Sequence, residues 1–300
     1  MASEFADDLA GTFEGIGAEI GIRKEILTII APLEGTPAEK AGLRAGDKIY
    51  AINGESTAGI AVDEAVRKIR GQKGTTVTLT ISRDGMEKAK DISIIRDAIV
   101  VKSVKLEVLK DKNIVVLKIS NFNEDTIDLF NKETIKILEL NPQGVILDLR
   151  NNPGGFLDAA VAVASEWVEK GVIVTEKFSV DKKDDFNASG RARLKNYKTV
   201  ILVNEGSASA SEIVAGALKD YGKAVLVGKK TFGKGSVQTL EQFGDGSSLK
   251  VTVAKWFTPK GNNINEQGIA PDVEVEIKQE DYEAEKDPQM EKAIEVIKNK

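Results

Sequence analysis

The chain has 300 residues, of which 41% are hydrophobic and 30% are charged, and its formal net charge at pH 7 is −5. This composition is typical of a globular protein, and the acidic balance with scattered Lys and Arg argues against a nucleic-acid partner. The sequence contains no His and no Cys. Ser-His-Asp triads, Cys–His nucleophiles and zinc hydrolysis through His ligands are therefore excluded, and we expect no metal and no other cofactor.

The N-terminal residues are acidic and lack the apolar core of a secretory signal. The longest apolar stretches, such as residues 158–165, are far shorter than the roughly 18 residues that span a bilayer. No integral membrane segment is therefore expected. The residues alone leave two alternatives, a cytosolic protein or one whose signal has been removed.

After a short N-terminal remnant at residues 1–10, residues 11–97 form the first predicted domain. Short strand patterns alternate there with turn signals such as Asn53-Gly54 and Asp84-Gly85. One helix is predicted over residues 62–70, because its apolar residues recur at helical spacing. We expect a small β-rich domain.

Residues 98–300 form the second predicted domain, in which strands alternate with helices. Strands are predicted at 114–119, 144–149, 172–175, 199–203 and 224–227, and helices at 124–140, 156–170, 209–221 and within 287–300. Such alternation is typical of βαβ units with a mostly parallel sheet. An antiparallel hairpin is predicted over 237–243 and 248–257, and a polar surface segment over 179–195. The predicted fold class is α/β (α+β), a β-rich domain followed by this core.

Three loops follow strands of the predicted sheet, at residues 150–155, 204–209 and 229–235. Because the carboxyl ends of parallel strands meet at one edge, we expect these loops to lie together. The first offers glycine N–H groups, the second a serine at a helix N-terminus, and the third a lysine between two glycines. A hydroxyl, an amine and spare amide donors are the parts that an acyl-transfer site needs without an imidazole.

Each loop also has a simpler interpretation: Gly154-Gly155 can be only a tight turn, and a lysine in a glycine-rich loop can be only solvated. Residues 209–212 (Ser-Ala-Ser-Glu) fit a capping box, in which the serine only caps its helix. Residues 228–234 have the Gly-x4-Gly-Lys spacing of a phosphate-binding loop, but Gly235 stands where a hydroxyl is needed and a strand pattern follows. The local pattern does not choose a nucleophile among Ser207, Ser209 and Ser211.

Four motifs occur in order at residues 148–155 (DLRNNPGG), 206–213 (GSASASEI), 230–238 (KTFGKGSVQ) and 257–272. Together they resemble the carboxyl-terminal processing proteases, or tail-specific proteases, of peptidase family S41. The resemblance implies a serine endopeptidase with Ser209 as nucleophile, Lys234 as base and Gln238 orienting the lysine. It also implies an oxyanion hole formed by the N–H of Ala210 and one from Gly154 or Gly155, with the choice of glycine left open.

Residues 13–20 (FEGIGAEI) and 37–54 resemble a PDZ domain, the first stretch being similar to its carboxylate-binding loop and edge strand. The implied partner is an unstructured polypeptide C-terminus, which the enzyme binds and cuts upstream. The alternatives are a PDZ-like domain without a ligand and a catalytically inactive peptide-binding adaptor. The implied peptide-binding residues are Gly15, Ile16, Gly17, Ala18, Ile20, Val66 and Arg70.

Members of the family usually carry an export signal and a helical segment before the PDZ domain, and only residues 4–9 could be a remnant of it. The resemblance therefore implies a trimmed protein of the cell envelope, periplasmic or extracytoplasmic, and leaves a homodimer open.

A lysine ordinarily keeps its proton at neutral pH, so a lysine base needs surroundings that favour the neutral amine. We therefore expect Lys234 to be buried beside Phe232, with Gln238 as a neutral partner. We also expect the carboxylates of Glu212 and Asp148 to point elsewhere.

Overall fold

The computed structural model describes residues 12–23, 25–33, 35–44, 46–83, 88–100, 102–242, 248–278, 280–281, 284 and 286–299. Side chains are described in these ranges except at residues 12, 13, 63, 100, 238–242 and 248–250. The predicted N-terminal remnant and the turn at residues 84–85 lie outside the described residues. The chain divides into two compact units, Met1–Val101 and Lys102–Lys300.

The first unit is built mainly from antiparallel strands. A two-stranded sheet pairs β1 (Thr12–Gly15) with β8 (Asp97–Val100). In the larger sheet the order is β2-β3-β4-β6-β7, with β5 paired to β4, so that β2 lies at one edge. The remaining elements are β2 (Ala18–Arg23), β3 (Ile26–Pro32), β4 (Lys48–Ile52), β5 (Glu55–Ser56), β6 (Thr76–Ser82), β7 (Lys90–Ile95), α1 (Pro37–Lys40) and α2 (Val62–Ile69).

Period-two alternation builds the core of this unit. Val77, Leu79 and Ile81 on β6 are fully buried, and Ala65 and Ile69 of α2 join them in one apolar cluster. Burial of each large branched side chain stabilises the fold by about 1.5–3 kcal/mol. The predicted β-rich domain with one amphipathic helix is confirmed.

The second unit contains a six-stranded sheet in the order β18-β15-β14-β11-β10-β9. Its neighbouring strands run parallel except β9, which is antiparallel to β10. This confirms the predicted mostly parallel sheet. The strands are β9 (Val104–Leu109), β10 (Ile114–Ile119), β11 (Gly144–Asp148), β14 (Lys198–Val203), β15 (Val225–Gly228) and β18 (Val273–Glu274), and a 3-10 turn (Lys110–Lys112) joins β9 to β10.

Helices cover both faces of this sheet. Successive residues of a strand face opposite sides, so Leu147 and Ile201 belong to one apolar cluster whereas Ile146 and Leu202 belong to another. The first cluster includes residues of α3 (Thr126–Leu140), α4 (Leu157–Ala164) and α5 (Ala210–Asp220), and the second includes residues of α6 (Pro288–Lys298).

A second, four-stranded antiparallel sheet has the order β13-β12-β17-β16. Its strands are β12 (Val172–Lys177), β13 (Lys183–Asn187), β16 (Ser236–Gln242) and β17 (Ser248–Phe257), and the last two confirm the predicted hairpin. The prediction of a polar surface segment at residues 179–195 is wrong in part. This stretch supplies β13, and Leu194 is fully buried in the core.

Helix α4 ends at Ala164, six residues before the predicted end. The carbonyls of Ser165 and Glu166 accept N–H groups from Ala192 (2.9 Å) and Leu194 (2.7 Å). A distant segment thus takes the carbonyls that a longer helix would use, and local periodicity gives no sign of this. No helix among the described residues is long and apolar enough to cross a membrane.

Candidate active site

The three loops identified in the sequence follow β11, β14 and β15, which are adjacent and parallel in the sheet. Their carboxyl ends therefore share one edge, as predicted. Gly228 ends β15 with φ +130°, and a Cβ there would lie 2.0 Å from the carbonyl oxygen of Val203. Only glycine fits at this position, because the paired strands β14 and β15 approach so closely there.

The three candidate serines differ sharply in their surroundings. Ser207 and Ser211 are fully buried. The hydroxyl of Ser207 donates to the carbonyl of Leu149 (2.8 Å), and that of Ser211 donates to the carbonyl of Asn152 (3.0 Å). Ser209 is only partly buried. Two of the hydroxyls are thus used to join the serine loop to the glycine loop, and Ser209 alone of the three is open to solvent.

Ser209 occupies the residue before α5 with φ +52° and ψ −114°. A non-glycine residue in this region carries strain of about 1–3 kcal/mol, and such strain is concentrated at functional sites. Ala210 begins the helix, so its N–H lies among the unpaired donors at the positive end of the helix dipole. This end of α5 favours negative charge next to the serine.

The glycine loop packs directly against the serine. A Cβ on Gly154 would lie 2.7 Å from the Cβ of Ser209. The Gly154 N–H already donates to Asn152 Oδ1 (2.9 Å), whereas that of Gly155 has no acceptor among the described residues. Gly155 has φ +137°, and a Cβ there would lie 1.9 Å from the carbonyl oxygen of Phe122. Of the two candidate glycines, Gly155 is therefore the one with an available donor.

Asn152 organises these two loops, and sequence reasoning did not single it out. It is fully buried. Its amide nitrogen donates to the carbonyl of Ile119 (2.8 Å), and its own carbonyl accepts the N–H of Ala208 (2.9 Å). The side chain of Asn152 thus connects β10 to the glycine loop, and its backbone carbonyl connects the glycine loop to the serine loop.

Glu212 is the second residue that sequence reasoning missed in this role, and the expectation that its carboxylate points away from Lys234 is wrong, because the carboxylate accepts the Lys234 backbone N–H. Its fully buried carboxylate accepts four hydrogen bonds. Oε2 accepts the N–H groups of Ser209 (2.9 Å) and Lys234 (2.8 Å), and Oε1 accepts the N–H of Gly233 (2.7 Å) and the hydroxyl of Thr231 (2.5 Å). The capping-box pattern predicted the bond to Ser209, but the carboxylate also holds the lysine loop. The backbones of Ser209 and Lys234 therefore meet at one carboxylate oxygen.

The predicted burial of Lys234 is wrong, since its side chain is exposed and Phe232 is 68% exposed. The flanking glycines are buried instead, and a Cβ on Gly235 would lie 2.1 Å from the backbone nitrogen of Asn265. The loop backbone is packed inward, which leaves the lysine side chain outside. Among the described residues Lys234 forms no ion pair. Gln238 lies on β16 opposite Thr252, and its side chain is outside the description.

The carboxylate of Asp148 is engaged by Arg150, whose Nε and Nη2 donate to it at 3.0 and 2.8 Å. Arg150 also pairs with Asp287 (2.9 Å) next to α6. Burial lowers the pKa of Arg150, but its hydrogen bonds and charge interactions with Asp148 and Asp287 outweigh this and raise the pKa above its usual range. The arginine therefore stays charged and ties the glycine loop to the terminal helix.

The predicted peptide-binding residues lie in the first unit. Gly15 ends β1, Ala18 and Ile20 lie on the edge strand β2, Val66 lies on α2, and Arg70 follows that helix. Between β1 and β2, the carbonyls of Ile16 and Gly17 accept N–H groups from residues 38 and 33. Their own N–H groups have no acceptor among the described residues, as a carboxylate-binding loop requires.

Gly17 has φ +73°, and a Cβ there would lie 2.5 Å from the Thr36 side chain. A larger residue would therefore distort this loop as well as fill it.

The described residues contain no group of three His, Cys, Asp or Glu placed to hold a metal ion.

Comparisons with known proteins agree with this architecture. Residues 113–275 match Peptidase family S41, and residues 28–83 match the PDZ domain. A probable CtpA-like serine protease of Staphylococcus epidermidis is 45% identical over 274 residues, covering 91% of this chain and 55% of the relative. One of Staphylococcus aureus is 44% identical over 282 residues, covering 92% of this chain and 55% of the relative. The chain thus spans about half the length of these relatives.

Solved structures share the fold of this chain. The photosystem II D1 C-terminal processing protease matches with a TM-score of 0.60 and 30% identity, over 92% of this chain and 75% of that one. A putative S41 protease from Bacteroides fragilis, at 18% identity, shares the fold with a TM-score of 0.69 over 94% of this chain and 82% of that one. The family match covers more than half of the 300 residues and includes the serine and lysine loops. The chain therefore belongs to peptidase family S41.

Proposed function

We propose that the chain is a serine endopeptidase that holds a polypeptide C-terminus in its first unit and cuts the same polypeptide upstream in its second. The observation that carries the catalytic proposal is Ser209, the one solvent-open serine of its loop, held strained at a helix N-terminus. Support for Lys234 as its base comes from the shared carboxylate oxygen that fixes both backbones.

The Ser209 hydroxyl attacks the scissile carbonyl carbon as the neutral amine of Lys234 takes its proton. The tetrahedral oxyanion is held by the N–H groups of Ala210 and Gly155, both donors without another acceptor among the described residues. The lysine then gives the proton to the departing amine, leaving an ester on Ser209. Water hydrolyses this ester, with the lysine again accepting a proton.

The exposure of Lys234 bears on this step. The Lys234 side chain is exposed, and we propose that the bound substrate covers its amine and displaces water from it. We propose that Gln238 then serves as the neutral partner of the amine. Productive substrate binding and activation of the base are thus one event.

The peptide-binding proposal rests on two observations among the described residues: the N–H groups of Ile16 and Gly17 have no acceptor, and β2 has no strand paired to its outer edge. These amides would take the terminal carboxylate, β2 would add the peptide as a further strand, and Val66 on α2 would face it. Arg70, at the end of the same helix, is proposed to contact the peptide end. We also propose, from the family resemblance, that the protein acts in the cell envelope, which fractionation of the source cells would test.

The decisive experiment is incubation of wild type, Ser209→Ala and Lys234→Ala with an unfolded protein that ends in apolar residues. Mass spectrometry should find internal fragments with wild type only, because nucleophile and base act as a unit. A fluorophosphonate should label Ser209 alone. Binding without cleavage by wild type would identify a peptide-binding adaptor instead, and cleavage by Ser209→Ala would overturn the assignment.

A further inference from the structure

The first unit contains an open cavity of about 570 Å³ at the far end of its edge strand. Leu27, which is 1% exposed, forms part of its lining, together with Ile22, Tyr50 and Ile60. Ile22 and Tyr50 are each 44% exposed, so two large apolar side chains adjoin the buried Leu27 at an open site. We call this site, between the β2–β3 hairpin and the segment that leads into α2, the distal cavity.

The distal cavity adjoins the same face of β2 that the proposed peptide groove uses. Side chains on one face of a strand recur every second residue, so Ala18, Ile20 and Ile22 share a face of β2. Ala18 and Ile20 pack against the core of the unit, next to α2, whereas Ile22 lines the cavity. The irregularity in the β2–β3 pairing places the extra residue on β3, so this alternation on β2 is unbroken.

The geometry fixes which residue of a bound peptide would reach the cavity. A carboxylate held at residues 16–17 lies at the start of β2, so the peptide must run antiparallel to the strand. Its last residue then lies opposite Ala18, its third-last opposite Ile20 and its fifth-last opposite Ile22. Directly opposed residues of antiparallel strands point to the same face, at about 4.5–5.5 Å between Cβ atoms.

We propose that the distal cavity binds an apolar side chain at the fifth position from the C-terminus of the polypeptide. This rests on the proposed carboxylate-binding groove and narrows its ligand class. The substrate is then a flexible chain with two apolar anchors, one at its end and one about 13 Å upstream, four residues at about 3.3 Å each. Glu25 is the only charged residue among the described residues that line the cavity, so an acidic residue at this position is disfavoured.

The test uses the full chain carrying Ser209→Ala, to prevent cleavage, and fluorescent ten-residue peptides of Gly and Ser that end in an apolar residue. Leu, Ser or Glu is placed at the fifth position from the end, and Leu is also moved to the fourth and the sixth. Fluorescence anisotropy gives Kd. The peptide with Leu at the fifth position should bind about tenfold tighter than the peptide with Ser there. This gain in affinity should fall by more than half when Leu stands at the fourth or the sixth position.

Ile22→Ser and Tyr50→Ser should each remove most of this gain without unfolding the unit, because both side chains are already exposed. Ile95→Ser is the matched control, since Ile95 is 65% exposed on β7 at the opposite edge of the sheet, and it should leave the gain intact. If free-acid peptides bind better than amidated ones but Leu and Ser at the fifth position bind equally, the distal cavity is not a subsite. An equal gain at all three positions also overturns it. If free-acid and amidated peptides bind equally, the groove itself fails, and this inference fails with it.

Discussion

Replacing Glu212 with Gln removes a single charge from the point at which the serine and lysine loops meet. Both carboxylate oxygens now accept two donors each. A glutamine amide keeps one acceptor oxygen, but its NH2 group replaces the other oxygen and faces the two donors that this oxygen accepted. At least two hydrogen bonds to the buried side chain are therefore lost, and the NH2 group points at N–H or O–H groups that it cannot accept.

The cost follows from the kind of bond that is lost. Each hydrogen bond to a buried charged group contributes about 1.5–3 kcal/mol, so Glu212→Gln should lower the free energy of unfolding by about 3–6 kcal/mol. The side chain joins the backbones of Ser209 and Lys234, so their relative position should also relax. A displacement of about 1 Å between reacting groups costs on the order of 100-fold in kcat.

Urea denaturation measures the first effect, and peptide turnover with fluorophosphonate labelling of Ser209 measures the second. Glu169→Gln is the control, because Glu169 is 56% exposed and its one ion pair in the described part of the chain is with Lys195, so stability should change by less than about 0.5 kcal/mol. A loss below about 1 kcal/mol in Glu212→Gln would refute the hydrogen-bond reasoning. A large loss of stability with unchanged kcat under folded conditions would refute the positioning role alone.

Three further predictions concern the backbone, buried charge and the catalytic base. Gly155→Ala should destabilise the fold by more than about 3 kcal/mol, because its Cβ would lie 1.9 Å from a carbonyl oxygen, whereas Gly222→Ala, at φ +63° with open space around it, should cost about 1 kcal/mol in the same denaturation assay. Burial and the nearby charge of Asp184 raise the pKa of Glu176 above its usual 4.5, so its ionisation opposes folding as pH rises; Glu176→Gln should therefore raise Tm at pH 7 and change it less at pH 4, and equal shifts would contradict this. Because the sequence has no histidine, kcat should rise with pH through one deprotonation without a limb near about 6.5, and Gln238→Glu should move that rise to higher pH; a flat profile would mean that Lys234 is not the base.

Local pattern was sufficient for much of the fold. Strands β10 and β11 and helix α3 were predicted within two residues, since apolar periodicity and flanking Gly and Asn mark buried elements directly. The alternation of strands and helices predicted a parallel sheet, and so a shared edge for three loops. Absence of His and Cys left carboxylates, lysine and tyrosine for acid–base work, and the resemblance to family S41 then pointed to serine and lysine.

Tertiary structure decided the points that depend on residues distant in the sequence. Ser209 differs from Ser207 and Ser211 in its strained backbone and its exposure, and carbonyls of residues 149 and 152 take the other two hydroxyls. Gly155 differs from Gly154 only because the side chain of Asn152 uses the Gly154 N–H. The end of α4 and the exposure of Lys234 depend likewise on segments that pack against them, because a hydrogen bond between remote residues leaves no period in the sequence.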